Sequence, residues 1–261
     1  MLLSFWTLIA FLGLILGFPV PATLLSRTLN PNGLTTREVD LNTFLSLLLN
    51  HLPPVDGTLI ALSDVLTTFQ DYLAYVSGKK TTYNQFTSTT ICKPYTVIFA
   101  RGTFEPGNVG ILVGPPFFDA LRARVGAANL TVLGVNDYKA SVEGYLAGGD
   151  VKGGLNMATQ IATAFKTCPH TKLVVSGYSQ GSEIVRIALA SLPAATAAWV
   201  SKVVVFGDPN NATAIPHVAA SKVLTVCHKG DDICKKGIQI VQPHLTYGLD
   251  VRTAATFALS L

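Results

Sequence analysis

The sequence predicts an α/β fold in which helices cover both faces of a five-stranded, mostly parallel sheet, giving a three-layer sandwich. From Cys92 onward, short apolar runs alternate with longer amphipathic stretches, which is the pattern of consecutive βαβ units. The 261 residues are enough for one large core and short for two full domains. No internal repeat or low-complexity tract is evident. We therefore expect one α/β domain with appended segments.

The predicted strands and helices alternate along residues 91–261. Each predicted strand is a short apolar run, and each predicted helix is a longer amphipathic stretch. Because parallel strands need crossover connections, the alternation predicts a doubly wound sheet. The strands are predicted at 95–100, 130–135, 172–176, 202–206 and 222–227, and the helices at 117–125, 153–167, 181–191 and 244–259.

Residues 1–22 are typical of a secretory signal peptide. Residues 2–20 are nearly all apolar, and the tripeptide Val20-Pro21-Ala22 is suited to cleavage. No Lys or Arg precedes this run, and about 19 apolar residues are also long enough for a membrane anchor. The small residues and the polar segment that follow favour cleavage. We expect a secreted, extracellular protein with no stable membrane insertion once the signal is removed.

Residues 23–90 contain no cysteine, differ from the rest of the chain and are predicted to be helical. An apolar run at 41–49 ends before two prolines, and residues 59–76 carry apolar side chains at mixed three- and four-residue spacing. The hydroxyl-rich residues 87–90 suggest a linker. Three interpretations stay open: an extension that packs on the domain, a propeptide that shields an apolar site until it is removed, and an independent helical interaction module.

Charge and cysteine content limit the function classes. The 19 Lys and Arg against 15 Asp and Glu give a net charge of +4 with no basic run, which argues against nucleic acid, an anionic membrane surface or a polyanionic substrate. An even number of cysteines fits two disulfides in an oxidising compartment, although the sequence alone allows three pairings. The cysteines are Cys92, Cys168, Cys227 and Cys234, and Asn129 and Asn211 begin glycosylation sequons.

A G-x-S-x-G motif at residues 177–181 carries the clearest chemical signal. It directly follows the predicted strand 172–176 and leads into the predicted helix 181–191, which is the setting of a nucleophile elbow. The turn is so tight that glycine is needed on both sides of Ser179, and it lifts the serine hydroxyl to the carboxyl edge of the sheet. The motif therefore predicts a serine nucleophile in a fold of the α/β-hydrolase type.

A serine nucleophile needs a histidine within hydrogen-bond distance and a carboxylate that orients this histidine. In this fold the chain order is serine, acid, histidine, and three histidines follow Ser179. His228 lies beside Cys227 in a tight loop, and His217 lies in a predicted surface loop. His244 follows a loop long enough to reach the sheet edge, so it is the preferred general base.

The acid and the oxyanion donors are narrowed to a few residues. Asp231 and Asp232 both lie just beyond the last predicted strand, in a loop between two cysteines, and spacing alone does not choose between them. The backbone N–H of Gln180, directly after the nucleophile, is one expected oxyanion donor. Thr103, in the turn-rich loop after the first strand, is the candidate for the second donor.

With these motifs assembled, the chain resembles the cutinase family of secreted serine esterases, which also includes acetylxylan esterases. The resemblance runs from about Cys92 to the C-terminal helix and rests on four motifs in the same order. They are FARGT with EPGN at 99–108, GYSQG at 177–181, a Cys-Gly-Asp-Cys pattern within 227–234, and PHL with YG at 243–248.

The resemblance implies a role for each candidate residue. Asp231 rather than Asp232 would orient His244, and Thr103 and Gln180 would form the oxyanion hole. The fold would be a lidless sandwich whose open active site is rimmed by apolar loops. Ile238, Ile240 and Val241, just before the proposed base, fit such a rim or else form a buried strand edge. The implied disulfides are Cys92–Cys168 and Cys227–Cys234.

The expected function is hydrolysis of carboxylic esters through an acyl-enzyme, with cutin or another aliphatic polyester as the favoured substrate and no metal or organic cofactor. An acetylxylan esterase would share the triad but present a polar, sugar-facing rim, so the apolar residues before His244 favour a cutinase. A catalytically silent secreted protein that adsorbs to wax or membrane would not need the triad. A monomer is expected because a domain of this size can stand alone.

Overall fold

The computed structural model describes residues 56–86 and 91–260, and its centre is a sheet with helices on both faces. Short 3₁₀ turns fill several of the connections. The strands of these residues are β1 (Asp56–Thr58), β2 (Tyr95–Ala100), β3 (Leu130–Gly134), β4 (Lys172–Tyr178), β5 (Lys202–Phe206), β6 (Val223–Val226) and β7 (Gln239–Val241). The α-helices are α1 (Ser63–Ser77), α2 (Gly114–Val125), α3 (Val142–Leu146), α4 (Val151–Thr167), α5 (Gln180–Ser191), α6 (Ala194–Trp199) and α7 (Val251–Ala258).

The five-stranded sheet is entirely parallel and has the order β3-β2-β4-β5-β6. This confirms the predicted strands and their direction. Tyr95 lies opposite Leu130 on one side and Lys172 on the other. β4 continues two residues beyond its predicted end because Gly177 and Tyr178 still pair with β5. The carboxyl ends of the strands meet at one edge, where α/β proteins place their sites.

Alternate residues of the sheet point into two separate cores, as the pleat of a strand requires. Along β2, Val97 and Phe99 belong to the core under α2 and α7, whereas Ile98 and Ala100 belong to the core under α4 and α5. All four are fully buried. The predicted three-layer sandwich is therefore confirmed, and it holds β4, the strand that leads to the serine, between two apolar layers.

Two helices begin two or three residues earlier than the sequence predicts, and each has a local cause. α2 begins at Gly114 because two prolines occupy its first turn, where their fixed φ and missing N–H are favourable. α4 begins at Val151 because the Asp150 side chain accepts a hydrogen bond from the Gly153 N–H at 3.1 Å and caps the helix.

The last predicted helix, 244–259, is wrong in its first half. His244 lies in a 3₁₀ turn, Gln242–Leu245, a second turn covers Tyr247–Leu249, and only Val251–Ala258 is α-helical. The hydroxyl of Thr246 donates to the Pro243 carbonyl at 3.0 Å, and the side chain of Tyr247 is drawn into the interior. These bonds compete with a continuous helix and give the chain an irregular path there.

The described part of the N-terminal segment packs on the domain. β1 pairs antiparallel with β7, and Leu59, Leu66 and Leu73 are buried in the same core as the α2 layer. The predicted helix over 59–76 exists as α1 but starts at Ser63, because the chain before it pairs as a strand. The predictions of a signal peptide, of a helix over 41–49 and of a linker over 87–90 lie outside the described residues.

Within residues 56–86 and 91–260, no helix has both the length and the apolar character that crossing a membrane requires.

Candidate active site

The nucleophile candidate lies on the predicted turn between β4 and α5. Ser179 has φ 55° and ψ −124°, a strained backbone conformation of the kind found at functional sites. A Cβ atom on Gly177 would lie 2.2 Å from the carbonyl oxygen of Gly181, and one on Gly181 would lie 2.1 Å from the carbonyl oxygen of Ala100. Only glycine fits at both positions, which is the reason the motif predicts this turn.

The structure brings Ser179, His244 and Asp231 together in one hydrogen-bond chain. The Ser179 Oγ lies 3.0 Å from the His244 Nε2, and the His244 Nδ1 lies 2.8 Å from the Asp231 Oδ2. A neutral imidazole satisfies both contacts when its Nδ1–H donates to the carboxylate and its Nε2 accepts from the serine hydroxyl. All three side chains are buried, and Ser179 is only 5% exposed.

The carboxylate of Asp231 is held by more than the histidine. Its Oδ1 accepts the Ile233 N–H at 3.0 Å, and its Oδ2 also accepts the Tyr247 hydroxyl at 2.5 Å. Burial raises the pKa of Asp231, but the hydrogen bonds from His244, Tyr247 and Ile233 outweigh burial and leave the pKa below its ordinary value. The group is therefore a stable carboxylate in the position where an imidazolium would need one.

The rival candidates have other partners. The Asp232 carboxylate accepts the Gln239 N–H at 3.0 Å and so holds the start of β7. The His228 ring binds Asp250 rather than the serine, and His217 is exposed. These contacts leave Asp231 and His244 as the pair that reaches Ser179, in agreement with the preference for His244 and with the acid that the resemblance implies.

The predicted oxyanion residues lie next to the serine. The Gln180 side-chain amide donates to the Thr103 Oγ1 at 2.9 Å and to the Ser141 carbonyl at 2.6 Å. Because the threonine oxygen accepts this bond, its own hydroxyl hydrogen stays available. Among the described residues, neither the Thr103 N–H nor the Gln180 N–H has an acceptor. Buried N–H groups without partners are what an oxyanion hole supplies.

Glu105 is a buried acid in the loop that carries Thr103, and sequence analysis assigned it no role of its own. Its buried carboxylate accepts N–H bonds from Gly102 at 2.8 Å, from Ile111 at 3.0 Å and from Leu112 at 2.9 Å. Burial raises the pKa of Glu105, while the three N–H bonds and the Arg101 charge oppose that rise. This carboxylate fixes the loop that carries Thr103. Glu105 is the one acid in the glycine-rich, mostly apolar residues 102–114, and this was the signal that could have indicated a structural role.

Both implied disulfides are present. Cys92–Cys168 has a Cα–Cα distance of 5.5 Å and joins the chain before β2 to the end of α4, on the side of the sheet away from the serine. Cys227–Cys234 has a Cα–Cα distance of 6.1 Å and closes the loop that carries Asp231. Only the second disulfide bears directly on the site.

The predicted apolar rim needs a correction. Ile238 is 39% exposed and Val241 is partly exposed, but Ile240 is only 3% exposed and belongs to the core. It is buried because β7 pairs with β1, and alternate residues of a strand face opposite ways. Next to Ile238, the Gly237 carbonyl accepts the Tyr145 hydroxyl at 2.5 Å, which joins α3 to the loop before β7.

No group of three His, Cys, Asp or Glu side chains in the described ranges is arranged to hold a metal ion.

Comparison with known proteins identifies the family. The family model described as cutinase matches residues 91–261. A curated cutinase of Hypocrea jecorina is 46% identical over 221 residues, which covers 85% of this chain and 86% of that protein. A cutinase of Pyrenopeziza brassicae is 48% identical over 198 residues, which covers 76% of this chain and 95% of that protein.

Solved structures agree with the sequence relatives. The Trichoderma reesei cutinase in complex with a phosphonate inhibitor has a TM-score of 0.70 and 44% identity, and covers 84% of this chain and 96% of that one. An acetylxylan esterase with a TM-score of 0.52 and 22% identity, covering 64% of this chain and 97% of that one, shares the fold. The chain therefore belongs to the cutinase family and is a serine hydrolase of carboxylic esters.

Proposed function

We propose that Ser179, His244 and Asp231 are the catalytic triad of this esterase. The continuous hydrogen-bond chain from Asp231 through His244 to Ser179 is the observation that supports the assignment. A serine hydroxyl becomes a nucleophile when a neutral histidine accepts its proton, and the buried carboxylate stabilises the imidazolium that results.

The proposed reaction proceeds through an acyl-enzyme. The Ser179 Oγ attacks the ester carbonyl while the His244 Nε2 takes the hydroxyl proton, and the negative charge on the carbonyl oxygen is received by the donors of Thr103 and Gln180. His244 then returns the proton to the leaving alcohol. A water molecule, deprotonated by His244, attacks the acyl-enzyme, and the carboxylic acid leaves as the serine regains its proton. Asp231 stays ionised throughout, as its lowered pKa requires.

The proposed substrate is an aliphatic ester or an insoluble aliphatic polyester such as cutin. Exposed apolar side chains on either side of the Tyr145–Gly237 contact support this choice, since they favour an apolar surface over a sugar. They are Leu146 on α3 and Ile238 before β7. The names of the curated relatives support the same substrate class.

We also propose the domain organisation: a signal peptide over 1–22, an N-terminal extension over 23–90 and a catalytic domain over 91–261, in a secreted monomer. The pairing of β1 with β7 supports an extension that packs on the domain rather than an independent module. The buried Leu59, Leu66 and Leu73 support the same interpretation, because removal of the extension would take away these three side chains and uncover Ile240 and the core on which they pack.

Hydrolysis of p-nitrophenyl esters from acetyl to long acyl chains tests the function. The wild type should hydrolyse butyrate and longer esters, and Ser179→Ala should lose activity by about 10⁵-fold or more. Ser191→Ala on the exposed end of α5 is the matched control and should retain full activity. Activity confined to acetyl esters would indicate an acetylxylan esterase instead. Activity retained by Ser179→Ala would refute the triad.

Truncation tests the domain proposal. A chain that starts at residue 56 should fold like the full mature protein, whereas one that starts at 79 should lose several kcal/mol, because about 1.5–3 kcal/mol accompanies each large apolar side chain that is uncovered. Thermal unfolding of the two proteins measures the difference. Equal stability would instead support a removable propeptide. N-terminal sequencing of the secreted protein shows where the chain is processed.

A further inference from the structure

The hydroxyl of Tyr247 lies directly behind the proposed catalytic acid. Its ring is fully buried, and its hydroxyl donates to the Asp231 Oδ2 while accepting the His228 backbone N–H at 3.0 Å. The Oδ2 atom thus receives two donors, one from His244 and one from Tyr247. With the Ile233 N–H on Oδ1, the carboxylate has three fixed contacts and one allowed orientation.

The ring of His228 stacks on the ring of Tyr247 from outside. The ring centroids are 4.1 Å apart and the interplanar angle is 20°. The His228 Nδ1 lies 2.7 Å from the Pro243 carbonyl oxygen, and its Nε2 lies 2.7 Å from the Asp250 Oδ2. The Thr246 hydroxyl also lies 3.2 Å from the His228 Nδ1, so the ring has polar contacts at both nitrogens. These contacts fix the orientation of the ring between Pro243 and Asp250.

The contacts of His228 bear on the backbone that carries the proposed base. The Pro243 carbonyl is part of the peptide bond between Pro243 and His244. The His244 carbonyl, in the next peptide bond, accepts the Tyr178 hydroxyl at 2.8 Å. Both peptide groups of His244 are therefore held by side chains of distant residues. The residues around it form only short 3₁₀ turns, so regular hydrogen bonding does little to fix this segment.

We propose that Tyr247 and His228, supported by Asp250, form a positioning unit for the triad, in which Tyr247 orients the acid and His228 anchors the base. The inference rests on the proposed roles of Asp231 and His244. Tyr247 and His228 are not catalytic residues, because their contacts are with the acid and with the backbone before the base rather than with Ser179. Such outer contacts commonly tune the residues they hold.

The pH dependence of activity distinguishes positioning from a purely structural role. Without the tyrosine hydroxyl, the Asp231 carboxylate loses a donor and becomes a stronger acceptor for the His244 Nδ1–H. It then stabilises the imidazolium formed during the reaction more strongly, so the acid limb of the activity profile should move to higher pH. The titratable groups that face this unit are Asp231 and His228 after β6, Tyr178 on β4, Glu105 of the oxyanion loop and Asp250 before α7. Tyr247→Phe changes none of these residues.

Tyr247→Phe is the first test, with Tyr138→Phe as a matched control. The Tyr138 phenol is also buried and also donates one hydrogen bond, to the Arg101 carbonyl at 3.1 Å. For Tyr247→Phe on p-nitrophenyl butyrate we expect kcat to fall about 10- to 100-fold, KM to stay within about twofold, and the acid limb of kcat/KM to move up by about half a pH unit. Tyr138→Phe should keep the wild-type kcat and pH profile. If the two variants behave alike, the proposal for Tyr247 is refuted.

Nitrogen NMR of the imidazoles in the wild type tests His228 without a variant. We expect the His228 Nε2 to carry a hydrogen that is donated to Asp250, because a carboxylate oxygen accepts. An Nε2 that carries no hydrogen in the active enzyme would overturn the proposed role of His228. His228→Gln should lower kcat about tenfold while the exposed His217→Gln does not, and equal activity of the two variants would likewise refute the role.

These outcomes separate the inference from the proposed function. If Ser179→Ala is inactive but Tyr247→Phe and His228→Gln match the wild type, the triad stands and the positioning unit fails. If Ser179→Ala keeps its activity, the triad itself fails. If Tyr247→Phe does not fold, the NMR measurement and His228→Gln still decide the question.

Discussion

The two halves of the proposed active site are built in different ways. The nucleophile half consists of β4, a tight turn and α5, whose inward side chains are fully buried and whose backbone bonds belong to regular structure. The acid–base half, residues 227–249, contains the three-residue β7 and short 3₁₀ turns. It is held by a disulfide, by side-chain hydrogen bonds and by the pairing of β7 with β1.

This difference predicts how each half responds to change. A strand and a helix inside a packed sandwich depend on the whole core, so damage to the nucleophile half should appear as loss of folding. An irregular segment depends on a few specific bonds, so damage to the acid–base half should appear as loss of activity in a folded protein.

The largest contrast is between two glycine substitutions. Gly181→Ala would place a Cβ 2.1 Å from the Ala100 carbonyl oxygen, in a sheet that cannot move, and should yield no soluble folded enzyme. Gly230→Ala, in the Asp231 loop, has its nearest neighbouring atom 3.9 Å away, so only its φ of 90° is unfavourable. It should fold with a loss of about 1–2 kcal/mol. Soluble yield and thermal unfolding measure both, and a well-folded Gly181→Ala would contradict the account.

The two disulfides should separate stability from activity. On loop length alone, Cys92–Cys168, with a separation of 76 residues, should contribute about 4.5 kcal/mol, and Cys227–Cys234, with a separation of 7, about 2.5 kcal/mol. Replacing the first pair by serine should therefore lower stability more and leave kcat of the folded enzyme close to wild type. Replacing the second pair should lower stability less and kcat more. The measurements are denaturant unfolding and enzyme kinetics at a temperature where both variants remain folded. A larger loss of kcat in the variant without Cys92–Cys168 would contradict the comparison.

The nucleophile half should respond to pH through stability. Burial, and next the Asp208 charge, raise the pKa of Glu183 on α5 to about 8, against the opposing charges of Arg186 and Lys236. A raised folded pKa contributes stability that is present below the ordinary value of 4.5 and is lost as pH rises through about 8. Glu183→Gln should therefore gain stability relative to the wild type between pH 5 and 9, on the order of 2 kcal/mol after solvent screening. Denaturant unfolding of both proteins at pH 5 and pH 9 tests this prediction. A difference in unfolding free energy between variant and wild type that is the same at both pH values would contradict it.

The smallest effect is expected on the rim. Ile238→Ser should change stability by less than about 0.5 kcal/mol, because the side chain is already partly exposed. It should reduce product release from a polyester film more than hydrolysis of a soluble ester, since apolar contact matters most on an insoluble surface. Ile91→Ser, at the most exposed large apolar residue described, is the matched control. An equal loss in both variants would remove Ile238 from the substrate surface.

The sequence predicted the parts of the site that depend on local geometry. Glycine is required on both sides of Ser179 because any side chain there would clash with the backbone, and the alternation of apolar runs indicates the parallel sheet. The turn and the sheet could therefore be predicted from residues that are close in sequence. The disulfide pairing and the choice of Asp231 over Asp232 came from the resemblance, because spacing alone leaves both open.

The parts that were missed depend on contacts between distant residues. Ile240 is buried because β7 pairs with β1, which lies some 180 residues earlier in the chain. A strand of three residues is too short for its apolar pattern to indicate which strand it pairs with. The predicted helix at His244 fails because the side chains of Tyr247 and Thr246 take other partners. Glu105 has a role only once the chain has folded three N–H groups around it.

Covalent labelling tests the central claim most directly, which is that a serine on the rigid half is activated by a histidine and an acid held on the irregular half. The enzyme, Ser179→Ala and Asp231→Asn are each treated with an alkyl phosphonate ester, and the labelled peptide and the rate of labelling are followed by mass spectrometry. We expect one adduct on Ser179 in the wild type, none in Ser179→Ala, and labelling slowed by about 10³- to 10⁴-fold in Asp231→Asn. An adduct on another residue, or wild-type labelling of Asp231→Asn, would contradict the account.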